Sequence, residues 1–320
     1  MGIGELAALG AALCWAAASL LYGQTKLSAW GLNLVKNILA AGVLLLQLLF
    51  LADWQQGIVF RAGSATWQWL ALSGVIGIVI GDTLYFRSLQ VLGPRKALIL
   101  STTAPLFAAV FGALFLNEVL TPVMLTGVLM TTGGVTYVVA DRKSAHESPG
   151  LFPGSTALGV SCAIGAAVCQ AAGGVCSRIG MQGCGSVEGA WIRLTVSAVA
   201  VGLIVAWQGQ LRDVWQKVKD RELLRRLVPA VLMGTWLGIW LCQVAYKETS
   251  VSVATTLLAT TPLFVIPLLR VFQQQKITAR AVIGTVVATL GVVFVVAGTA
   301  AETADREDRP VSAADSERGG

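Results

Sequence analysis

Apolar runs recur along the whole chain, near residues 4–22, 30–51, 68–88, 96–116, 121–140, 156–178, 188–207, 229–247, 251–271 and 278–298, with short polar stretches between them. Each is long enough to cross a hydrocarbon core, which takes roughly 20 residues at about 1.5 Å of rise per residue. None shows the polar/apolar alternation of a barrel strand, and a helix satisfies its own backbone groups in lipid. The pattern therefore predicts an all-α integral membrane protein with ten transmembrane helices. The first run lacks the basic segment of a signal peptide and another apolar run follows at once, so it reads as the first helix.

The stretch 141–154 (DRKSAHESPGLFPG) is polar and rich in glycine and proline, and it divides the runs into two groups of five. The groups resemble each other. At an offset of 157 residues APLF at 104–107 lies on TPLF at 261–264, Gly127 on Gly284, Gly134 on Gly291, and VVA at 138–140 on VVA at 295–297. At an offset of 155, GAALCWAA at 10–17 lies over GAAVCQAA at 165–172. This is an internal duplication. An odd number of helices per copy forces the second copy to enter the membrane the other way up, which predicts a 5+5 inverted repeat. The expected organisation is one repeat over 1–140, a linker over 141–154, a second repeat over 155–298 and a disordered tail over 299–320.

Composition agrees with burial in lipid: 55% of residues are hydrophobic and 12% charged, with a mean hydropathy of +0.73, against about a quarter charged in soluble domains. Most loop cations, among them Arg95, Lys96, Arg142, Lys143, Arg212, Lys217, Lys219, Arg225 and Arg226, fall on one face. The positive-inside rule makes that face cytoplasmic and places both termini outside. Leu211, Val214, Trp215 and Val218 stand at helical spacing among those cations, the pattern of an amphipathic helix on an anionic membrane surface. Five of the six cysteines lie inside expected helices, no CxxC occurs, and the single histidine, His146, sits in the linker. Neither a disulfide frame nor a metal site is expected.

The run GDTLYFRSLQVLGPRKALILSTTAPLFAAVFGALFLNEVLTPVMLTGVL, from Gly81 onward, carries a family likeness. The chain resembles the drug/metabolite transporter superfamily, in the form with two EamA-type domains of five helices each. The basic residue typical of the second helix appears as Lys36 and Arg193, and the proline of the fourth helix as Pro105 and Pro262. The glutamate that ends that helix appears as Glu118 but is Gln275 in the second copy. The resemblance implies carriage of a small metabolite or toxic solute.

Asp82 is the most informative single residue, because a carboxylate at mid-membrane costs about 2.5–3.5 kcal/mol on insertion scales. It either lines the solute pathway, where it would be the group that cycles a proton if transport is proton-coupled, or forms a structural pair with Arg87. Lys36 and Arg193 either snorkel to the interface or face a central cavity and attract an anionic group. Pro105 and Pro262 interrupt their helices and are candidate hinges, flanked by Thr102, Thr103, Thr260 and Thr261. Trp15, Tyr85 and Trp240 are candidate pathway aromatics, with Phe86 and Tyr246 beside them. The small-residue face of Gly127, Gly134, Gly284 and Gly291 packs either within one chain or in a homodimer.

These features predict a secondary transporter of the cell membrane (the inner membrane if the source is Gram-negative), working by alternating access on a small-molecule substrate. Its partners are that substrate and the lipid bilayer, with no nucleic acid, and no cofactor is expected. A membrane-embedded enzyme is the rival from another class, but the sequence has no HExxH, no GxSxG and no phosphate loop. A channel is the third reading. Saturable flux with counterflow separates carrier from channel, and product analysis exposes an enzyme.

Overall fold

The structure, a computed structural model, describes residues 2–22, 27–51, 62–92, 97, 100–139, 155–264, 267–268 and 279–307. These residues are helical apart from short turns and connections, with no strand among them. The first repeat contains α1 (Ile3–Tyr22), α2 (Ala29–Leu51), α3 (Ser64–Leu92), α4 (Ala104–Leu116) and α5 (Pro122–Val139). The second contains α6 (Thr156–Gly180), α7 (Ser186–Trp207), the short α8 (Leu211–Val218), α9 (Arg221–Glu248), α10 (Val251–Leu258) and α11 (Ala279–Glu307). Five of these are long and apolar enough to cross a membrane, and α1, α4, α10 and α11 contribute shorter apolar stretches.

The distribution of polarity is the reverse of a soluble protein's. On α2, Asn33, Lys36, Asn37, Ala40 and Leu44 are buried, while Ile38, Leu46, Leu49 and Phe50 face outward. Phe50 is 83% exposed, and Leu203 and Trp207 on α7 are exposed likewise. Such a surface is stable only against hydrocarbon, and the polar side chains turn inward because lipid offers them no partners.

Helices of one repeat pack mainly on helices of the other. α1 lies on α9 and α6 on α3; α4 lies on α6 and α10 on α1; α2 pairs with α7, α4 with α10 and α5 with α11. Exchanging the two repeats maps this set of contacts onto itself. The axis of that exchange passes through the α5–α11 crossing. A Cβ on Gly127 would stand 2.6 Å from Gly291 O, and one on Gly134 would stand 2.7 Å from Gly284 O. Equivalent helices that meet in this antiparallel register must be inverted relative to each other. The small-residue face is thus filled within the chain, where only glycine lets the two backbones approach so closely.

The C-terminal boundary differs from the sequence pattern. α11 continues to Glu307, nine residues past its expected end at 298, because its last turns are composed of good helix formers (AAETADRE) that need no apolar surroundings. The linker 141–154 and residues 308–320 lie outside the described residues.

The amphipathic segment forms as α8, with Val214 buried against Gly31 of α2 while Leu211 and Trp215 face outward. Lys219 Nζ sits 5.8 Å from the centre of the Trp215 ring.

Candidate functional site

At Gly74–Asp82 in α3 and Val231–Leu237 in α9 the helix widens to π geometry, at matching points of the two repeats. A π turn tilts carbonyls off the helix axis, where neighbours can reach them. In α3, Ile78 O accepts from Asn33 Nδ2 at 2.9 Å and Gly74 O from Ser197 Oγ at 3.1 Å. In α9, Gly234 O accepts from Trp15 Nε1 at 2.8 Å and Ala230 O from the Tyr22 hydroxyl at 3.0 Å. The expected pathway aromatic Trp15 is therefore tied by its indole N–H to the π segment of α9. Its ring lies on Gly238, where a Cβ would meet Nε1 at 2.6 Å.

The π segment of α3 ends on Asp82, and its partner comes from α2. Lys36 Nζ donates to Asp82 Oδ2 at 2.7 Å and to Asn37 Oδ1 at 3.2 Å, and lies 5.9 Å from the centre of the Phe86 ring. Asn37 Nδ2 donates to Asn33 Oδ1 at 3.1 Å, and Asn33 Nδ2 in turn to Thr83 Oγ1 at 3.1 Å. Lys36 is 3% exposed and so does not snorkel. Asp82 pairs with Lys36 rather than Arg87. Five residues along a helix carry a side chain some 140° around the axis by standard geometry, whereas α2 faces Asp82 directly. Tyr85 and Phe86 follow on α3 with ring centres 6.0 Å apart.

Arg193 occupies the position of Lys36 on α7 and is also buried, at 4% exposure. Its Nη1 donates to Gln243 Oε1 at 2.5 Å, and Ser177 Oγ donates to the same oxygen at 2.9 Å. Trp240 on α9 stacks at a tilt on Trp236, ring centres 6.4 Å apart, and the Trp236 indole N–H donates to Gln47 Oε1 at 2.9 Å.

The two prolines stand just past matched interruptions. The backbone turns at Thr102–Thr103 before α4 and at Ala259–Thr260 after α10, with Pro105 and Pro262 both buried in the helical residues that follow. Local hydrogen bonds repeat across the offset. Thr103 Oγ1 donates to Leu100 O at 2.7 Å and Thr260 Oγ1 to Leu257 O at 2.6 Å, while Leu106 N–H and Leu263 N–H donate to Thr103 O and Thr260 O at 3.0 and 2.8 Å. A proline removes one backbone donor, and the threonine hydroxyl caps a carbonyl of the turn that the break leaves exposed.

At the membrane face that carries residue 2, the buried carboxylates Glu5 and Glu188 and the partly buried Glu118 join helix ends. Glu118, just beyond α4, accepts Val251 N–H on Oε1 at 2.6 Å and Ser252 N–H and Oγ–H on Oε2 at 3.2 and 2.7 Å. An anion on the first N–H groups of α10 opposes the positive end of that helix's dipole. Asn117 makes the turn possible by adopting a left-handed conformation, φ 53°. Glu5 accepts from Thr249 Oγ1 at 3.2 Å, and Glu188 from Ala62 N–H at 3.0 Å. Gln275, the counterpart of Glu118, lies outside the described residues.

Sequence reading missed Gln243, the Asn33–Asn37 relay and both π segments. The only signal for the π segments was the matched pair Gly77/Gly81 and Gly234/Gly238, where close neighbours leave no room for a side chain at Gly234 and Gly238.

No curated protein matches this sequence. A solved crystal structure superposes on 96% of this chain and 99% of its own with a TM-score of 0.72 at 18% identity, which shows a shared fold. Residues 2–140 and 157–297 each match the EamA-like transporter family. With two copies of that unit covering nearly the whole chain, the protein belongs to the EamA-like transporter family.

Proposed function

We propose that this protein is a secondary transporter that carries a small metabolite or drug-like solute by alternating access, on ten spans, with Asp82 as its proton-responsive group. The observation that carries the reading is the Lys36–Asp82 pair: one carboxylate and one ammonium, 2.7 Å apart between α2 and α3, with Lys36 buried and Asp82 partly buried. Protonating Asp82 dissolves the pair and releases Lys36. A cation without its partner at that depth destabilises the arrangement holding it, which links proton uptake to a change in helix packing. The paired interruptions beside Pro105 and Pro262 supply hinges in equivalent helices. Glu118, Glu5 and Glu188 tie helix ends together on one face, contacts that a change in helix packing would have to break.

The test is Asp82→Asn in proteoliposomes. An amide cannot cycle a proton, so gradient-driven accumulation is lost while solute exchange, which needs no net proton movement, continues. A variant that concentrates solute normally under a pH gradient refutes the role of Asp82. Flux without saturation or counterflow favours a channel instead.

A further inference from the structure

Lys36 and Arg193 are the same position in two repeats, yet their electrostatic surroundings differ. Lys36 is neutralised by Asp82 and rests beside Phe86. At the equivalent positions of the second repeat stand Ile239 and Gln243. Arg193 therefore has lost the carboxylate that its counterpart keeps, and among the described residues no acidic group forms an ion pair with it.

What remains around it leaves two donors unmet. Gln243 Oε1 already accepts from Arg193 Nη1 and from Ser177 Oγ, which fixes the amide and presents its Nε2 as a donor. Gln243 Nε2 and Arg193 Nε are both buried and neither has a partner. A guanidinium does not give up its proton in a protein, so it stays charged even when buried. Two donors and a positive charge shut away from water call for a group with two acceptor oxygens and a negative charge, which is the pattern of a carboxylate. On the α3 side the missing side chain of Gly77 lets the guanidinium lie against the helix backbone, with Arg193 Nη2 3.2 Å from the place a Cβ would take.

The geometry points to Arg193 and Gln243 as the seat of a solute carboxylate, making carboxylic acids the substrate class of this transporter. The inference rests on the transporter reading above, but its test is separable from it. The melting temperature of the purified full chain is measured at constant ionic strength with isosteric acid and amide pairs: propionate and propionamide, benzoate and benzamide, succinate and succinamide. At least one acid raises the melting temperature saturably by several degrees while its amide does not. Arg193→Gln loses the shift, and Arg193→Lys keeps a weaker one because an ammonium lacks the guanidinium fork.

Equal shifts from acid and amide, an unchanged acid shift in Arg193→Gln, or a shift of the same size from chloride overturns the assignment. Should Arg193→Gln fail to fold, Ile239→Asp restores the missing carboxylate at the position of Asp82. It then abolishes the acid shift in a folded protein, and a wild-type response from Ile239→Asp overturns the seat. Counterflow in proteoliposomes keeps the two readings apart. Acid binding without counterflow of any solute leaves the seat standing and sinks the transporter reading, whereas counterflow confined to neutral or cationic solutes does the reverse.

Discussion

Lys36 of α2 and Asp82 of α3 form an ion pair of 2.7 Å in the interior of the bundle, where Asp82 is the last residue of a π segment. Such a pair is a poor source of net stability, because both charges lose their hydration, but it is costly to break from one side. Lys36→Met alone should lower stability by up to about 3 kcal/mol, the low end for a buried pair, since it leaves a partly buried carboxylate unpaired. The double variant Lys36→Met/Asp82→Leu should recover most of that loss. Thermal melting in detergent reads both, and a double variant as unstable as the single one would show that the charges do more than balance each other.

The Glu118 clasp predicts an effect on one helix end. Glu118→Gln keeps the size and one acceptor oxygen but removes the charge facing the first N–H groups of α10. The expected loss is about 1–2 kcal/mol, the range for charged hydrogen bonds and caps. Hydrogen exchange should show it as faster exchange at Val251 and Ser252, and unchanged protection there would remove the clasp from the account.

Close backbone contact at the α5–α11 crossing separates adjacent glycines. Gly134→Ala forces a Cβ to within 2.6 Å of Ala288 N, while Gly133→Ala meets nothing within 4 Å. The first should destabilise by about 1–3 kcal/mol, as overpacking does, and the second should be neutral. Equal melting temperatures for the two variants would mean that the helices separate at no cost.

Pro105→Ala and Pro262→Ala restore a backbone N–H in the broken helices. Stability should hold or rise, and turnover should fall because the interruption is where the helices flex. Transport assays on the folded variants decide this. Wild-type turnover in both would make the breaks simple bends.

Orientation follows from loop charge alone. A reporter fused after Gly298 should behave as external, since Arg212, Lys217, Lys219, Arg225 and Arg226 lie at the opposite face. A cytoplasmic signal would reverse the protein in the membrane without altering its fold.

Helix content, two-fold repetition and the choice of notable residues were legible in the chain itself, because crossing lipid demands long apolar helices and duplication leaves matched residues 157 apart. Asp82, Lys36, Arg193 and the two prolines stood out as costly exceptions to that rule. Their partners did not. Asp82 and Arg87 are close in sequence, and only the approach of α2 to α3 selected Lys36 instead. Likewise Arg193 looked identical to Lys36 until folding placed Gln243 against it and, among the described residues, no ion-pairing carboxylate. The π segments were invisible because their widening depends on donors from other helices, Asn33, Ser197, Trp15 and Tyr22, meeting the tilted carbonyls. Hydropathy is a property of each residue in its solvent, and so the sequence carries it directly. Pairing is a property of distances between helices, and those exist only once the two repeats have packed together.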